Sequence, residues 1–131
     1  MTPSEKCRER INTLNCVVVI PTYNNAVTIA QVISDVAAYS DHIWVVNDGS
    51  TDDTADILSS FSNIWIITYE KNQGKGYALK LALRTAAEAG YDYALTIDAD
   101  GQHFADDIPT FIDRIEQVPD SLLIGARNLT A

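Results

Sequence analysis

Apolar residues recur along this chain with two periods. Residues 16–20, 42–47, 64–69 and 93–97 are short, nearly continuous runs rich in Val, Ile, Trp and Tyr. The continuous β-branched run 16–20 predicts a strand covered on both faces, residues 93–97 a buried strand, and the other two runs strands. Between them the spacing changes to three or four. Ile29, Val32, Ile33, Val36 and Ala37 form one stripe, and Ala78, Leu79, Ala82, Leu83 and Ala86 form another. Both stripes predict amphipathic helices. Thr28 or a neighbour is placed to begin the first. Ser50 or Thr51 is placed to cap an intervening helix reaching about residue 61, with Asp52 and Asp53 at its positive end. Gly90 suits the position that closes the alanine-rich helix. Residues 104–117 carry a further helical pattern in which Pro109 fits only near the first turn. Residues 122–124 read as a last short strand. Residues 1–15 form a polar N-terminal extension or a short helix, with Ser4 as its cap and Arg10 near its end.

Strands alternating with helices predict an α/β fold, a mostly parallel sheet with helices on both faces. Such sheets bind ligands at the carboxyl ends of their strands. The polar and glycine-rich segments fall there: Thr22 to Asn25, Asn47 to Ser50, Glu70 to Gly76, and Asp98 to His103. That coincidence points to a site more strongly than any single motif.

Composition narrows the classes. At 131 residues the chain is one domain, and residues 16–131 carry its core pattern. The net charge of −9 disfavours a nucleic-acid partner, because phosphate backbones need clustered Lys and Arg. Cys7 and Cys16 lack metal-binding spacing, which fits a reducing, cytoplasmic setting. No run approaches the ~18 apolar residues of a membrane span.

The chemistry concentrates at Asp98-Ala99-Asp100-Gly101-Gln102-His103. A strand alternates its side chains, so Asp98 and Asp100 point the same way if the extended geometry persists past Ile97. Two such carboxylates repel unless a cation or a donor-rich ligand offsets them. Mg²⁺ and Mn²⁺ take few protein oxygens and share the remaining positions with phosphate and water. Gly74-Lys75-Gly76 precedes a helix and could cradle phosphate, although it lacks the spacing of a P-loop. Asp48 ends a strand; it reads equally as part of a turn or as an acceptor for a nucleobase or ribose. His103 reads as a local hydrogen-bonder outside the catalytic set. Trp44 and Trp65 read as core or sheet surface.

Four segments in order carry a resemblance: Val18-Val19-Ile20-Pro21-Thr22-Tyr23-Asn24, Val46-Asn47-Asp48-Gly49-Ser50-Thr51-Asp52, Asn72-Gln73-Gly74-Lys75-Gly76-Tyr77-Ala78 and Asp98 to His103. The set resembles the inverting family 2 glycosyltransferases, whose fold is the Rossmann-like GT-A nucleotide-diphospho-sugar transferase fold. Its Asp-Ala-Asp-Gly-Gln-His form is similar to the dolichyl- and polyprenyl-phosphate sugar transferase branch, which implies cell envelope glycan biosynthesis. The resemblance implies that Pro21, Thr22, Tyr23 and Asn25 line the nucleotide pocket and that Asp48 contacts the base. Gly74 and Lys75 would lie beside the nucleotide. Asp98 and Asp100 would be the catalytic pair, Asp98 toward the ribose or sugar and Asp100 on a divalent cation, Mg²⁺ or Mn²⁺, with Gln102. Arg127 would touch an acceptor phosphate. Asn25 stands where relatives usually carry glutamate.

The implied reaction moves a sugar from a UDP- or GDP-sugar to an acceptor such as a polyprenyl phosphate at the membrane. A lipid phosphate is already an anion and needs no general base, and none is identifiable here. The chain stops at Ala131, where relatives continue into acceptor-binding structure. It is therefore expected to be the nucleotide-sugar-binding part of a longer transferase, incomplete at its C-terminus. Membrane association would come from parts outside it, and oligomeric state is left open. The rival readings are a non-catalytic nucleotide-binding module and a sugar nucleotidyltransferase. The latter would usually have a basic, glycine-rich loop where Pro21 to Asn25 stand. A dinucleotide-dependent dehydrogenase lacks its Gly-x-Gly-x-x-Gly at the same place, and a phosphatase would need its nucleophilic aspartate after an early strand.

Overall fold

The computed structural model describes residues 2–100, 107–117 and, through their backbone, 126–128. The elements run α1 (Pro3–Leu14), β1 (Cys16–Thr22), α2 (Ile29–Ala37), β2 (Ile43–Asp48), α3 (Thr54–Ser59), β3 (Trp65–Tyr69), α4 (Lys75–Glu88), β4 (Tyr93–Thr96), α5 (Ile108–Gln117) and β5 (Ala126–Asn128). One sheet holds the strands in the order β3-β2-β1-β4-β5. The first four are parallel, and β5 runs antiparallel to β4.

Handedness accounts for the layers. The crossovers through α2 and α3 step outward from β1 to β2 to β3. The crossover through α4 returns across β1 to β4 and so steps the other way. Right-handed connections then put α2 and α3 on one face and α4 on the other. Burial follows this division. Val17 and Val19 of β1, Val46 and Ala94 pack with Ala78, Ala82 and Ala86 of α4. Val18, Ile20, Ile43, Val45 and Leu95 pack on the opposite face with Ile11, Ile33, Leu58 and Ile112 from α1, α2, α3 and α5. Successive β1 residues thus feed two cores, which is why the run is apolar throughout.

Several ends differ from the sequence expectation. Thr2, not Ser4, opens α1: its hydroxyl accepts the Glu5 N–H while the Glu5 carboxylate accepts the Thr2 N–H, a reciprocal cap. The helix continues past Arg10 to Leu14 and stops at Asn15, which is left-handed at φ +57. Its Cys7 and Ile11 are buried, and Arg10 pairs with Asp113 and Glu116 of α5. Neither Ser50 nor Thr51 caps α3. The Asp52 carboxylate takes the Thr54 hydroxyl at 2.6 Å and its N–H at 3.0 Å. The Thr54 hydroxyl, foremost among these donors, holds Asp52 below the ordinary carboxylate range. Ser50 and Thr51 bond Asn24 instead, tying the loop after β2 to the loop after β1. Pro109 does lie in the first turn of α5. Residues 104 and 122–124 lie outside the described residues; the last described strand is β5.

Cys7 and Cys16 are both free and buried. Burial pushes the Cys16 thiol up to about 12, which keeps it protonated and unreactive. Among the described residues no helix is long and apolar enough to cross a membrane.

Candidate functional site

A pocket of about 400 Å³ opens at the carboxyl ends of the strands, where the connection reverses between β1 and β4. Such a reversal leaves a crevice between two loops that diverge to opposite faces. Pro21, Thr22, Tyr23, Asn25, Asp48, Gly74, Lys75, Asp98 and Asp100 all line it. Asn72, Ala78 and Ala99 line it as well, and were not singled out from the sequence. The polar amide of Asn72, directly before Gln73-Gly74-Lys75, was the available signal. Gln102 and His103 lie outside the described residues. The backbone of Arg127 sits in β5 opposite Ala94.

The wall at β2 is built around Asp48, which is 3% exposed. Its carboxylate accepts the Asn72 side-chain amide at 2.9 Å, the Gln73 N–H at 2.8 Å and the Gly74 N–H at 3.0 Å. The same Asn72 amide also donates to the Asp48 carbonyl at 3.1 Å. These contacts need the loop before α4 to lie directly on Gly49. A Cβ there would come within 2.3 Å of the Asn72 nitrogen, and φ is +67, so only glycine fits without rearrangement. Gly74 has no side chain to cap α4, and Asp48 supplies an anion at that helix end from another strand. One consequence departs from the sequence expectation: the Gly74 N–H, a candidate for phosphate, is donated to Asp48. Tyr69 lies beside this clamp. Burial, reinforced by Asp48, raises its hydroxyl pKa and keeps it protonated.

The β1 wall is a self-closed turn. The Asn25 side-chain carbonyl accepts the Thr22 hydroxyl at 2.8 Å and the Tyr23 N–H at 3.0 Å. Asn24 has a left-handed φ of +52, a conformation asparagine tolerates better than most residues. Its side-chain carbonyl accepts the Thr51 N–H at 2.7 Å and the Asp52 N–H at 3.3 Å from the loop after β2. Tyr23 is left 45% exposed at the pocket.

The third wall is the end of β4. Ile97 still donates to the Val19 carbonyl at 3.0 Å, one residue past the strand. Alternation then persists: Asp98 lines the pocket, Ala99 is buried in the core, and Asp100 lines the pocket again. Lys75, from the first turn of α4, forms an ion pair with Asp98. From the other face, the Thr28 hydroxyl donates to the Ala99 carbonyl at 2.6 Å. Thr28 stands at the N-cap of α2, where the sequence reading places the start of that helix, but its side chain makes no cap bond. Among the described residues no three of His, Cys, Asp and Glu converge on one point. Two carboxylates around one pocket are nonetheless suitable hard-oxygen donors for a small divalent cation, which needs few protein ligands.

Residues 17–130 match the model of the family described as "Glycosyl transferase family 2". The chain is 32% identical over 126 residues to the UDP-N-acetylglucosamine–dolichyl-phosphate N-acetylglucosaminyltransferase of Methanococcus voltae, covering 83% of this chain and 50% of that one. It is 29% identical to the polyprenol monophosphomannose synthase of Mycolicibacterium smegmatis, covering 88% and 46%. Its fold superimposes on glucosyl-3-phosphoglycerate synthase from Mycobacterium tuberculosis, solved with Mn²⁺, UDP and glucosyl-3-phosphoglycerate, with a TM-score of 0.68 and 25% identity over 87% of this chain and 44% of that one. The chain thus spans about half the length of the curated relatives it matches. With a family match across nearly its whole length and a sheet of this topology, the chain belongs to glycosyl transferase family 2 and has the GT-A fold.

Proposed function

We propose that this chain is the donor-binding part of a metal-dependent inverting transferase. It would move a sugar from a UDP- or GDP-sugar to a polyprenyl phosphate at the cytoplasmic face of a membrane. The observation that carries the reading is the convergence of Asp48, Lys75, Asp98 and Asp100 on one pocket. Asp48 is suited to the base, since a carboxylate with spare acceptor capacity beside its three protein donors can take a ring N–H. Tyr23 and Pro21 would flank the nucleoside, and Asn25 would hold their turn in shape.

Lys75 would face the diphosphate and share its charge between that group and Asp98. Asp100, with Gln102, would hold Mg²⁺ or Mn²⁺, and Asp98 would orient the ribose or sugar. A cation bound there supplies Lewis-acid stabilisation of the charge growing on the departing diphosphate. Inversion requires the acceptor to attack the anomeric carbon from the face opposite that leaving group. A phosphate acceptor brings its own negative charge, so the pocket needs no proton-abstracting side chain. The relatives named for dolichyl-phosphate and polyprenol substrates support that acceptor class, and the relative solved with Mn²⁺ and UDP supports the cation. Arg127 is the proposed contact for the acceptor phosphate.

Thermal unfolding with UDP, GDP and their sugar conjugates, with and without Mn²⁺, tests the donor site. A ligand at about 100 times its Kd adds roughly 2.7 kcal/mol to the folded state. The expected result is a Mn²⁺-dependent rise in Tm with one nucleotide, lost in Asp100→Ala. An Asp100→Ala protein with unchanged Mn²⁺ dependence would overturn the metal role. Metal-dependent donor binding without sugar transfer to any polyprenyl phosphate would favour the binding-module reading.

A further inference from the structure

Thr28 occupies the cap position of α2 without capping it. Its hydroxyl crosses 71 residues of sequence to the Ala99 carbonyl, at 2.6 Å. A second acceptor, the Asn25 carbonyl, lies at 3.5 Å and is too far to compete for the single proton. Ala99 is the residue between the two aspartates, and β4 has already ended at Thr96. The peptide that separates Asp98 from Asp100 therefore lies beyond the strand's own ladder. Thr28, by contrast, is firmly seated, because Ile29 and Ile33 next to it on α2 are fully buried.

We propose that Thr28 is a positioning residue for Asp100 of the acidic pair. Its hydroxyl fixes the Ala99–Asp100 peptide and, through it, the aim of Asp100 at the divalent cation, while Asp98 is held separately by Lys75. The pair is then held from both faces of the sheet, by the Lys75 charge on the α4 side and by the Thr28 hydroxyl on the α2 side. This inference rests on the reading of Asp100 as a cation ligand. A hydrogen bond in this place acts as an outer partner of a metal ligand, setting geometry without touching the ion.

The test compares Thr28→Val, which keeps the shape and loses the hydroxyl, with Thr28→Ser, which keeps the hydroxyl. Mn²⁺ affinity is read from the electron paramagnetic resonance signal of free Mn²⁺ at saturating UDP; UDP affinity without metal is read by calorimetry. Thr28→Val should weaken Mn²⁺ binding about 10- to 100-fold. It should leave metal-free UDP binding unchanged, and Thr28→Ser should restore Mn²⁺ affinity. Wild-type Mn²⁺ affinity in Thr28→Val overturns the proposal, as does an equal loss in both variants or a parallel loss of metal-free UDP binding. If Thr28→Val does not fold, Thr28→Ala gives the same comparison. Wild-type protein that binds UDP but no Mn²⁺ overturns the cation-site reading itself, and this inference with it.

Discussion

At the end of β2, Asp48 is 3% exposed and accepts three N–H groups from a single loop. At the end of β4, the Asp98 side chain is 41% exposed and is paired with the flexible end of Lys75. Both are aspartates at the carboxyl end of a parallel strand, and both line the same pocket. The difference lies in who supplies the hydrogen-bond donors. At β2 the protein supplies most of them, so Asp48 holds a loop in place and keeps only its remaining acceptor capacity for a ligand. At β4 the aspartates project past the end of the strand beside Lys75, the environment a cation or diphosphate can enter. How far an acidic residue in a pocket is a fixed wall and how far an open ligand is thus decided by its donors.

The comparison is broken most severely at Gly49. Gly49→Ala should cost about 3 kcal/mol or more, since it combines a positive φ with a Cβ inside the Asn72 backbone. Urea unfolding measures this, and a loss under about 1 kcal/mol would mean the two loops part easily. Next comes Asp48→Ala, which leaves the three donors without their acceptor. Its expected cost is about 2–3 kcal/mol. Nucleoside binding should weaken equally with and without Mn²⁺, and an effect confined to the Mn²⁺ titration would contradict the base assignment. The smallest effect is expected at the other end. Lys75→Met removes an exposed ion pair, so stability should move by no more than about 0.5 kcal/mol, while UDP affinity falls. A loss of more than about 2 kcal/mol would place Lys75–Asp98 in the same structural class as Asp48.

The layers and the pocket were largely legible in the sequence because each depended on local pattern. The continuous apolar run of residues 16–20 announced a strand covered on both faces, and the glycine-rich and polar loops marked the carboxyl ends. The helix starts were harder. Thr2, Asp52 and Thr28 each sit near other Ser, Thr or Asp residues, and only the fold decides which side chain meets the first turn. Thr28 illustrates the limit: at short range it is a good cap, yet its partner is Ala99, brought close by strand pairing that sequence proximity cannot report. Asn72 was hidden for the same reason, since its acceptor lies on a strand 24 residues earlier.

The two tryptophans have a practical consequence. Trp44 and Trp65 are register partners on β2 and β3, with ring centroids 6.4 Å apart. Trp44 also meets Tyr91 edge-on at 6.2 Å. This cluster stands at the amino ends of the strands, and four residues of extended chain put Asp48 roughly 13 Å further along β2. Trp65 is 65% exposed, whereas the Trp44 indole nitrogen is buried. The intrinsic emission of this protein is therefore a gauge of the sheet's β2–β3 edge. It will register unfolding as the paired indoles separate, and stay nearly silent while a nucleotide fills the pocket at the opposite end.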